Sequence, residues 1–402
     1  MSTPAQTLRP PAPPGPITWV RQNLFSSWFN SILTILTLLL IIVALRAVLY
    51  WLINVADWRP VTEYFLLFMV GQYPQDLVWR VGLSLALVCF LFGVSWGVGG
   101  ELLQSFAITI GTLLALAALI PVQIDDLTLP VRIFLLGCVL LLYLGFILGK
   151  AKSVRGLYLV IGWLVALIII IFVLLPGISY IDLLPEVPST LWGGLLVTLL
   201  LAVGGIVLSF PIGVMLAFGR RSSLPVVKAF CTAFIELIRG VPLITILFMF
   251  SLILQVFLPV GSRFDRLLRA LIAITIFSAA YMAENIRGGL AAVPPGQIEA
   301  AKAVGMNSLF INLFIVLPQA IRAVIPAIVG QFISLFKDTT LVIILGINEL
   351  LGIGRSVINA DPAFIQLQLE VYLFIAAIFW IFSYAMSHSS RKLEESLGVG
   401  ER

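Results

Sequence analysis

A polar stripe interrupts one of the apolar segments of the sequence. Ser278, Tyr281 and Glu284 follow one another at intervals of three residues, so they share one face of a predicted helix. A carboxylate among apolar residues costs free energy unless it is paired or hydrated, and it can hold an ammonium group through a charge-assisted hydrogen bond. The stripe therefore predicts a substrate pathway, and polar packing against a neighbouring helix is an equally good interpretation.

A second polar break lies inside the long apolar segment 309–346, at Lys337, Asp338 and Thr339. A helix that opens at mid-membrane would let these side chains line a pathway, whereas an ion pair between Lys337 and Asp338 would satisfy them without any function. Both interpretations stay open, and all three residues are candidate pathway residues.

A pair of opposite charges precedes a helix-breaking stretch. Glu236 and Arg239 are three residues apart on a predicted helix and can form an ion pair. Gly240 and Pro242 follow directly and interrupt the helix. We predict a helix kink with a structural ion pair at this point, and contact with substrate is the alternative.

The loop 288–308 is a short polar interruption between two apolar segments. In its sequence AVPPGQIEAAKAVG, Pro295 can begin a short helix and Gly305 can end that helix in the left-handed conformation. The alanines give the helix a low surface that another protein can approach closely, and a helix of two or three turns is marginal by itself in water. We predict that the loop binds a partner protein; an ordinary surface turn is the alternative. The predicted contact residues are Glu299, Ala300, Ala301, Lys302 and Gly305.

The sequence lacks the residues that catalysis or a resident cofactor would need. His388 is the single histidine, and Cys89, Cys138 and Cys231 lie in or beside apolar stretches without the spacing of metal ligands. The phosphate-binding pattern G-x-x-x-x-G-K-[ST] does not occur. We therefore predict a non-catalytic chain that binds no metal and no cofactor itself.

Membrane helices must position these residues, because 61% of the chain is hydrophobic and only 11% is charged. The basic residues are scattered and form no face for nucleic acid. Segments of about 20 apolar residues are long enough to span a bilayer. The sequence therefore predicts an all-α polytopic membrane protein with about ten transmembrane helices. The predicted spans are 29–52, 77–98, 102–122, 131–149, 156–175, 190–218, 228–258, 267–287, 309–346 and 365–386.

The distribution of charge predicts the topology. Basic residues fall on alternate loops and acidic residues on the loops between them, which predicts that the loop 288–308 and both termini are cytoplasmic. Arg46, Arg80 and Arg132 lie at or near the ends of spans, and we expect these side chains to snorkel to the membrane surface. The basic residues on the predicted cytoplasmic side are Arg9, Arg21, Lys150, Lys152, Arg155, Arg220, Arg221, Lys302, Arg391 and Lys392.

A proline-rich stretch around Pro176, Pro185 and Pro188 is the predicted boundary between two halves. The first half should contribute packing and lipid contact more than chemistry, because it lacks polar stripes. The predicted domains are a disordered tail at 1–27, a transmembrane extension of about five helices at 28–185, a second transmembrane domain of five helices at 186–390, and a tail at 391–402.

The loop resembles the cytoplasmic signature of the permease subunits of ABC importers. The segment EAAKAVGMNSLFINLFIVLP at 299–318 has the spacing of this signature. Three residues separate the EAA from Gly305, nine separate Gly305 from Ile315, and one separates Ile315 from the final Leu-Pro. Other segments resemble the branch that imports polar amino acids, and the long first half resembles the extended permeases of broad-range L-amino acid importers. These segments are 193–220, 236–248, 277–305 and 334–350, and the resemblance covers about residues 188–395.

The resemblance implies that 186–390 is a permease domain whose loop 288–308 carries a coupling helix for a dimer of ATP-binding subunits. ATP and Mg would then be bound by those subunits. It also implies a second permease chain, in a heterodimer rather than a homodimer, an extracytoplasmic amino-acid-binding protein, and a bacterial inner (plasma) membrane with its lipid around the chain.

The implied function is ATP-driven import of polar L-amino acids by alternating access. An ion- or proton-coupled secondary transporter, with Glu284 and Asp338 as coupling carboxylates, is the alternative, and a non-transporting scaffold is a third. The residues do not indicate which amino acids are preferred.

Overall fold

The computed structural model describes residues 15–119, 124–151, 156–178, 181, 184–257 and 264–398. Within these ranges all regular elements are helical, which confirms the predicted fold class, and two isolated β-bridges join Gly71 to Trp192 and Gly194 to Glu349. The α-helices are α1 (Pro16–Asn23), α2 (Trp28–Asn54), α3 (Arg59–Glu63), α4 (Phe65–Val70), α5 (Val78–Gly99), α6 (Glu101–Leu119), α7 (Leu129–Lys150), α8 (Gly156–Ile169), α9 (Gly194–Arg220), α10 (Pro225–Arg239), α11 (Leu243–Phe248), α12 (Leu254–Phe257), α13 (Arg266–Ala292), α14 (Pro295–Ala303), α15 (Ser308–Phe310), α16 (Leu317–Asp338), α17 (Leu350–Ala360) and α18 (Gln368–Ser396).

Several helices continue in wider or tighter turns. Pro318 lacks a backbone N–H and its ring displaces the carbonyl of the preceding turn, which accounts for the wide π-helical stretch just before it. The π-helical segments are Ile170–Leu174, Met249–Ile253 and Ile311–Val316, and the 3-10 segments are Gln75–Leu77, Ser189–Leu191, Thr339–Leu345 and Pro362–Leu367.

Eight described helices are long and apolar enough to cross a membrane, and a ninth is counted if the bent pair Pro225–Arg239 and Leu243–Ser251 is one span. The predicted count of ten is therefore not confirmed. The bent pair turns by 107°. The apolar part of α6, Leu103–Leu119, is shorter than the other candidate spans; at 1.5 Å per residue it covers roughly 25 Å, less than the hydrocarbon core of about 30 Å.

The chain divides into two compact units, Met1–Asp57 and Trp58–Arg402. The first unit contains α1 and α2, so the disorder predicted for 1–27 does not extend to Pro16–Asn23. Pro16 at the first helical position suits the start of α1. The hydroxyl of Ser27 accepts the N–H of Asn30 at 3.2 Å and caps α2. The segment 58–185, which we assigned to the extension, lies in the same unit as the predicted permease domain.

Helices α5 and α7 pack backbone against backbone. A β-carbon built on Gly93 of α5 would lie 2.0 Å from the carbonyl oxygen of Leu142, and one built on Gly145 of α7 would lie 2.3 Å from that of Phe90. Small residues let membrane helices approach closely where the apolar solvent gives little drive for association. The first half of the chain thus carries a specific packing signal that its hydrophobic composition does not indicate.

Arg80 is fully buried, so the expectation that it snorkels is wrong. Its Nη1 donates to the carbonyl oxygen of Pro185 at 2.8 Å, and the hydroxyl of Tyr73 donates to the carbonyl oxygen of Leu175 at 2.8 Å. The side chain points into the protein because the proline-rich connector offers carbonyls that no helix uses. These contacts tie α5 and the residues just before it to the chain that leads into α9.

Helix α13 lies at the centre of the second half and packs most extensively against α9. Gly205 of α9 faces Ile274 of α13, and Gly213 faces Met282, so the two helices run in the same direction. Both helices therefore finish at the same end of the core, which we call the α14 end because α14 directly follows α13.

Helix α16 packs against α13 in the opposite direction. Gly289 faces Ala320, and the hydroxyl of Ser278 accepts the amide of Gln331 at 3.4 Å. Helix α16 therefore begins at the α14 end and finishes at the other end of the core, called the opposite end below.

The last helix, α18, extends through Ser396, so the tail predicted at 391–402 begins inside a helix. The hydroxyl of Ser390 donates to Glu394 one turn further on, at 2.7 Å. Arg322 of α16 donates to the carbonyl oxygen of Leu397 just after this helix. These bonds explain why the charged sequence continues the helix rather than ending it.

We expect Gly145→Ala to destabilise the protein by about 1–3 kcal/mol, because the added methyl group would force α5 and α7 apart. Gly137→Ala on the same helix is the matched control: its β-carbon meets nothing within 4 Å, so helix propensity should make it neutral or stabilising by up to about 1 kcal/mol. Thermal unfolding in detergent, followed by intrinsic fluorescence, compares the variants. Equal unfolding temperatures would contradict the backbone packing.

Candidate functional site

Five charged side chains from three helices meet between the middle of the core and its α14 end. They form one connected set of ion pairs, called the charge cluster below. Its members are Arg220 of α9, Glu236 and Arg239 of α10, and Glu284 and Arg287 of α13.

Glu284 is the centre of the charge cluster. Its carboxylate lies 2.5 Å from Nη2 of Arg287, 3.4 Å from Nη1 of Arg220 and 3.6 Å from Nη1 of Arg239. Its side chain is 24% exposed. Glu284 lies roughly 12 Å before the end of α13, since a helix rises 1.5 Å per residue. Three guanidinium groups around one part-buried carboxylate leave little room for an ammonium group beside it.

Glu236 and Arg239 do not pair with each other in the described structure. Arg220 Nη2 binds Glu236 at 2.8 Å, while Arg239 turns to Glu284. The residues that follow, Gly240 and Pro242, lie at the 107° bend between α10 and α11. Arg220, at the end of α9, reaches Glu236. The two charged residues of α10 therefore connect α10 to α9 and α13 and do not form a pair within α10.

The polar stripe on α13 has two environments. Ser278 is buried against Gln331 of α16. Tyr281 lies beside α10, and the guanidinium carbon of Arg239 lies 5.6 Å from its ring centroid, a cation–π distance. The stripe thus begins in helix packing and ends, at Glu284, in the charge cluster.

The second polar break is not brought to the charge cluster. The antiparallel register of α13 and α16 puts Asp338 roughly 20 Å from Glu284 toward the opposite end. Thr339 is buried and donates to the carbonyl oxygen of Phe336 at 2.7 Å. Lys337 is exposed, and no ion pair joins it to Asp338, although both side chains are described.

The loop after α13 contains the helix α14, with proline at its first position. Gly305 follows the helix with a φ of +80°, and a β-carbon built on it would meet nothing within 4 Å. Conformation alone therefore favours glycine there. Glu299, Ala300 and Lys302 are exposed, as is Val304, whose side chain is 77% exposed.

Ala301 does not lie on the exposed face of α14. It is 6% exposed and belongs to an apolar cluster with Ile286 and Ile311. Ala301 is a predicted contact residue because alanines give the helix a low surface, but successive helical residues lie 100° apart, and Ala301 faces the core rather than the surface. The exposed alanines of α14 are Ala300 and Ala303.

Two members of the charge cluster were missed as site residues. The sequence analysis interprets Arg220 only as a basic residue of the cytoplasmic side, and Arg287, three residues beyond Glu284, is not among the candidate site residues. The spacing of Glu284 and Arg287 on one helix face could have indicated their pair. No feature of the sequence indicated that Arg220 would meet residues of α10 and α13.

Comparisons with known proteins identify the family. Residues 209–397 match the family described as binding-protein-dependent transport system inner membrane component. The inner membrane amino-acid ABC transporter permease protein YhdY of Escherichia coli is 35% identical, over 96% of this chain and 94% of that protein. The glutamate/glutamine/aspartate/asparagine transport system permease protein BztC of Rhodobacter capsulatus is 38% identical, over 95% of this chain and 94% of that protein. This chain belongs to the amino-acid ABC transporter permeases.

The membership confirms the resemblance seen at the loop and the assignment as a multi-span inner-membrane permease subunit of an ABC importer. It also supports this reading over a secondary transporter. A shorter relative, the probable glutamine ABC transporter permease protein GlnP of Bacillus subtilis, is 36% identical over 51% of this chain and 92% of its own length. About half of this permease therefore corresponds to a whole shorter one. A crystal structure titled as an amino acid ABC transporter with histidines matches 50% of this chain and 92% of that chain, with 30% identity and a TM-score of 0.45.

We expect Glu284→Gln to lower the stability of the permease by about 2 kcal/mol, between the values typical of exposed and of buried ion pairs. The substitution removes one of the two carboxylates of the charge cluster, so three guanidinium groups remain with the carboxylate of Glu236 alone. Glu236→Gln is the control, because the Glu236 side chain is 53% exposed and Arg220 is its one ion-pair partner among the described residues. The loss for this variant should be under about 1 kcal/mol. The measurement is thermal unfolding in detergent at low and at high salt. Identical shifts for the two variants would show that Glu284 is not the centre of the cluster.

Proposed function

We propose that this permease moves polar L-amino acids into the cytoplasm by alternating access, driven by ATP hydrolysis in a separate subunit. The names of the relatives from Rhodobacter capsulatus and Bacillus subtilis include glutamate, glutamine, aspartate and asparagine. These solutes share an α-carboxylate and an α-ammonium group. The proposal assigns no catalytic step to this chain.

Helix α14 is the observation that carries the proposal. It is nine residues long, it projects Glu299, Ala300, Lys302 and Ala303 outward, and Val304 adds an exposed apolar side chain beside it. A helix this short gains most of its stability from packing against other groups. An ATP-binding subunit that covers this face would bury the apolar surface, and it would hold the ATP and Mg that this chain has no motif to bind.

The proposed topology follows from α14. If α14 contacts a cytoplasmic ATPase, the α14 end of the core is cytoplasmic, and so is the end of α18, which is bonded to Arg322 of α16. The positive-inside rule places the N-terminus on the same side. The opposite end then faces the amino-acid-binding protein outside. A second, related permease chain completes the pathway, and we favour a heterodimer with a dimer of ATP-binding subunits.

The charge cluster supplies the proposed inner gate of the pathway. Three arginines and two glutamates leave one formal positive charge in excess. The α-carboxylate of an amino acid can therefore compete with Glu284 for a guanidinium group. Glu284 is not assigned to the ammonium group of the solute, because it already binds three arginines. Tyr281 and Ser278 lie on the approach to the cluster along α13.

The proposed function is tested in proteoliposomes that contain the permease, its ATP-binding subunit, the second permease chain and the binding protein. We expect uptake of polar L-amino acids only with ATP, and stimulation of ATP hydrolysis by the loaded binding protein. Uptake that continues with an ion gradient and no ATP would contradict the proposal. Absence of any stimulation by any amino acid would favour a scaffold.

We expect Gly305→Ala to reduce the stimulation of ATP hydrolysis several-fold. An alanine at a φ of +80° costs about 1 kcal/mol or more, so the end of α14 must shift. Gly296→Ala, in the first turn of α14, is the matched control: its β-carbon meets nothing within 4 Å, and stimulation should stay at the wild-type value.

The exposed face of α14 is tested by Ala303→Trp, which should separate the permease from the ATPase during co-purification and leave membrane insertion unchanged. Ala301→Trp should instead lower the stability of the permease itself, because Ala301 is buried. Wild-type association and stimulation in Gly305→Ala and Ala303→Trp together would show that α14 is not the coupling element.

A further inference from the structure

Three stretches of backbone meet at the opposite end of the core, in what we call the glycine junction. Its members are Val70–Gly71, Gly193–Gly194 and Asn348–Glu349. The N–H of Gly193 donates to the carbonyl oxygen of Val70 at 3.2 Å, and that of Gly194 donates to Asn348 at 2.9 Å. A β-carbon on Gly71 would lie 2.4 Å from the nitrogen of Gly193. The junction therefore locks α4, the start of α9 and the start of α17 together.

A fully buried carboxyl group, that of Glu349, lies at the glycine junction. Its two oxygens accept the N–H groups of Leu351 and Gly352, each at 2.9 Å, and so cap α17. The hydroxyl of Thr198 from α9 accepts the N–H of Leu350 at 3.1 Å and donates to the carbonyl oxygen of Gly194 at 3.1 Å. The carboxyl group and Thr198 thus join the first turn of α17 to α9.

Few charged groups face Glu349 from the elements packed around α17. The 3-10 segments Thr339–Leu345 and Pro362–Leu367 and the helix α4 contain no ionisable side chain. Helix α9 has Arg220 in its last turn, at the α14 end, and α18 has Glu370 and Tyr372 in its first turns. Arg355, on α17 itself, is the charged group that acts on Glu349. No ion pair of Glu349 occurs among the described residues.

We infer that Glu349 is a positioning residue that holds α17 against the start of α9, and that ionisation of its carboxyl group loosens this end of the core. The inference rests on the proposed function in one respect, because it treats the opposite end as the one exposed to the outside. The external pH would then set how readily the pathway opens toward the binding protein.

The electrostatics give the direction of the effect. Burial raises the pKa of Glu349 from 4.5 to about 7, against a smaller lowering by its hydrogen bonds to Leu351 and Gly352, by the neighbouring hydroxyl of Thr198 and by Arg355. The closed junction thus binds a proton that an opened, hydrated Glu349 would release between these two pH values. The bound proton therefore stabilises the closed junction relative to the open form. This stabilisation is complete below pH 4.5 and decreases as the pH rises toward 7.

A space for the ionised side chain lies next to the junction. A cavity of about 90 Å³ at this end is lined by Trp192, Arg266, Gly346 and Asn348, among others. Opening of the junction would let the carboxylate of Glu349 reach water in this cavity and approach the guanidinium group of Arg266. The cavity therefore favours the ionised form only in the open state.

Hydrogen exchange of the full-length permease in lipid nanodiscs tests the inference without any transport. After correction for intrinsic exchange, the amides of Leu351 and Gly352 should exchange at least about tenfold faster at pH 8 than at pH 5. Glu349→Gln keeps an acceptor oxygen and cannot ionise, so its exchange should not depend on pH. Asp361→Asn is the matched control: Asp361 is an exposed cap at the same end that accepts the N–H of Ala363 at 2.8 Å, and the variant should keep the wild-type dependence.

A wild-type exchange rate that is equal at both pH values would overturn the inference without reference to any variant. So would a pH dependence that persists in Glu349→Gln. The second readout is amino-acid uptake by the proteoliposomes at varied external pH. We expect wild-type uptake to rise between pH 5 and pH 8 and Glu349→Gln to flatten this rise. A complex that transports no amino acid, while exchange remains pH-dependent, would contradict the proposed function and leave the role of Glu349 supported.

Discussion

Close approach of backbones at glycine positions is the constraint on which the rest of this structure depends. Apolar side chains gain little by leaving lipid for protein, so membrane helices need shape complementarity or hydrogen bonds to associate. Gly93 and Gly145 provide this fit between α5 and α7, Gly213 between α9 and α13, and Gly289 between α13 and α16. With the helices at these distances, polar side chains on neighbouring helices come into contact. The charge cluster and the glycine junction both depend on this packing.

The two ends of the core are held by different chemistry. Ion pairs among α9, α10 and α13 join the α14 end, and they can exchange partners with a charged solute without leaving a charge unpaired. Backbone hydrogen bonds and one buried carboxyl group hold the opposite end. Such an end opens only when several backbone groups find new partners. The first end is therefore suited to respond to a solute, and the second to respond to a change in its own hydrogen bonding.

Much of this architecture could be predicted from the sequence, because hydrophobic length and helix breakers are local properties. Eight of the predicted spans, the bend near Pro242 and the short helix before Gly305 follow from residues close together in the chain. Contacts between distant segments could not be predicted in this way. The pair Arg220–Glu236 requires the end of α9 to lie against α10, and the burial of Arg80 requires the carbonyl of Pro185 to lie within its reach. Neither is encoded by a spacing in the sequence.

The first half of the chain has a more definite role than its composition indicated. We expected packing and lipid contact there, because charged groups in apolar segments mark function and this half has few. The structure shows Phe68 buried with Leu350 and Ile353 of α17, and Gly71 in contact with the start of α9. The segment around α4 thus completes the opposite end of the permease core using apolar and backbone groups alone. If the pathway opens at that end, as the proposed function requires, this segment would move together with the starts of α9 and α17 that it contacts, even though it contributes no charge.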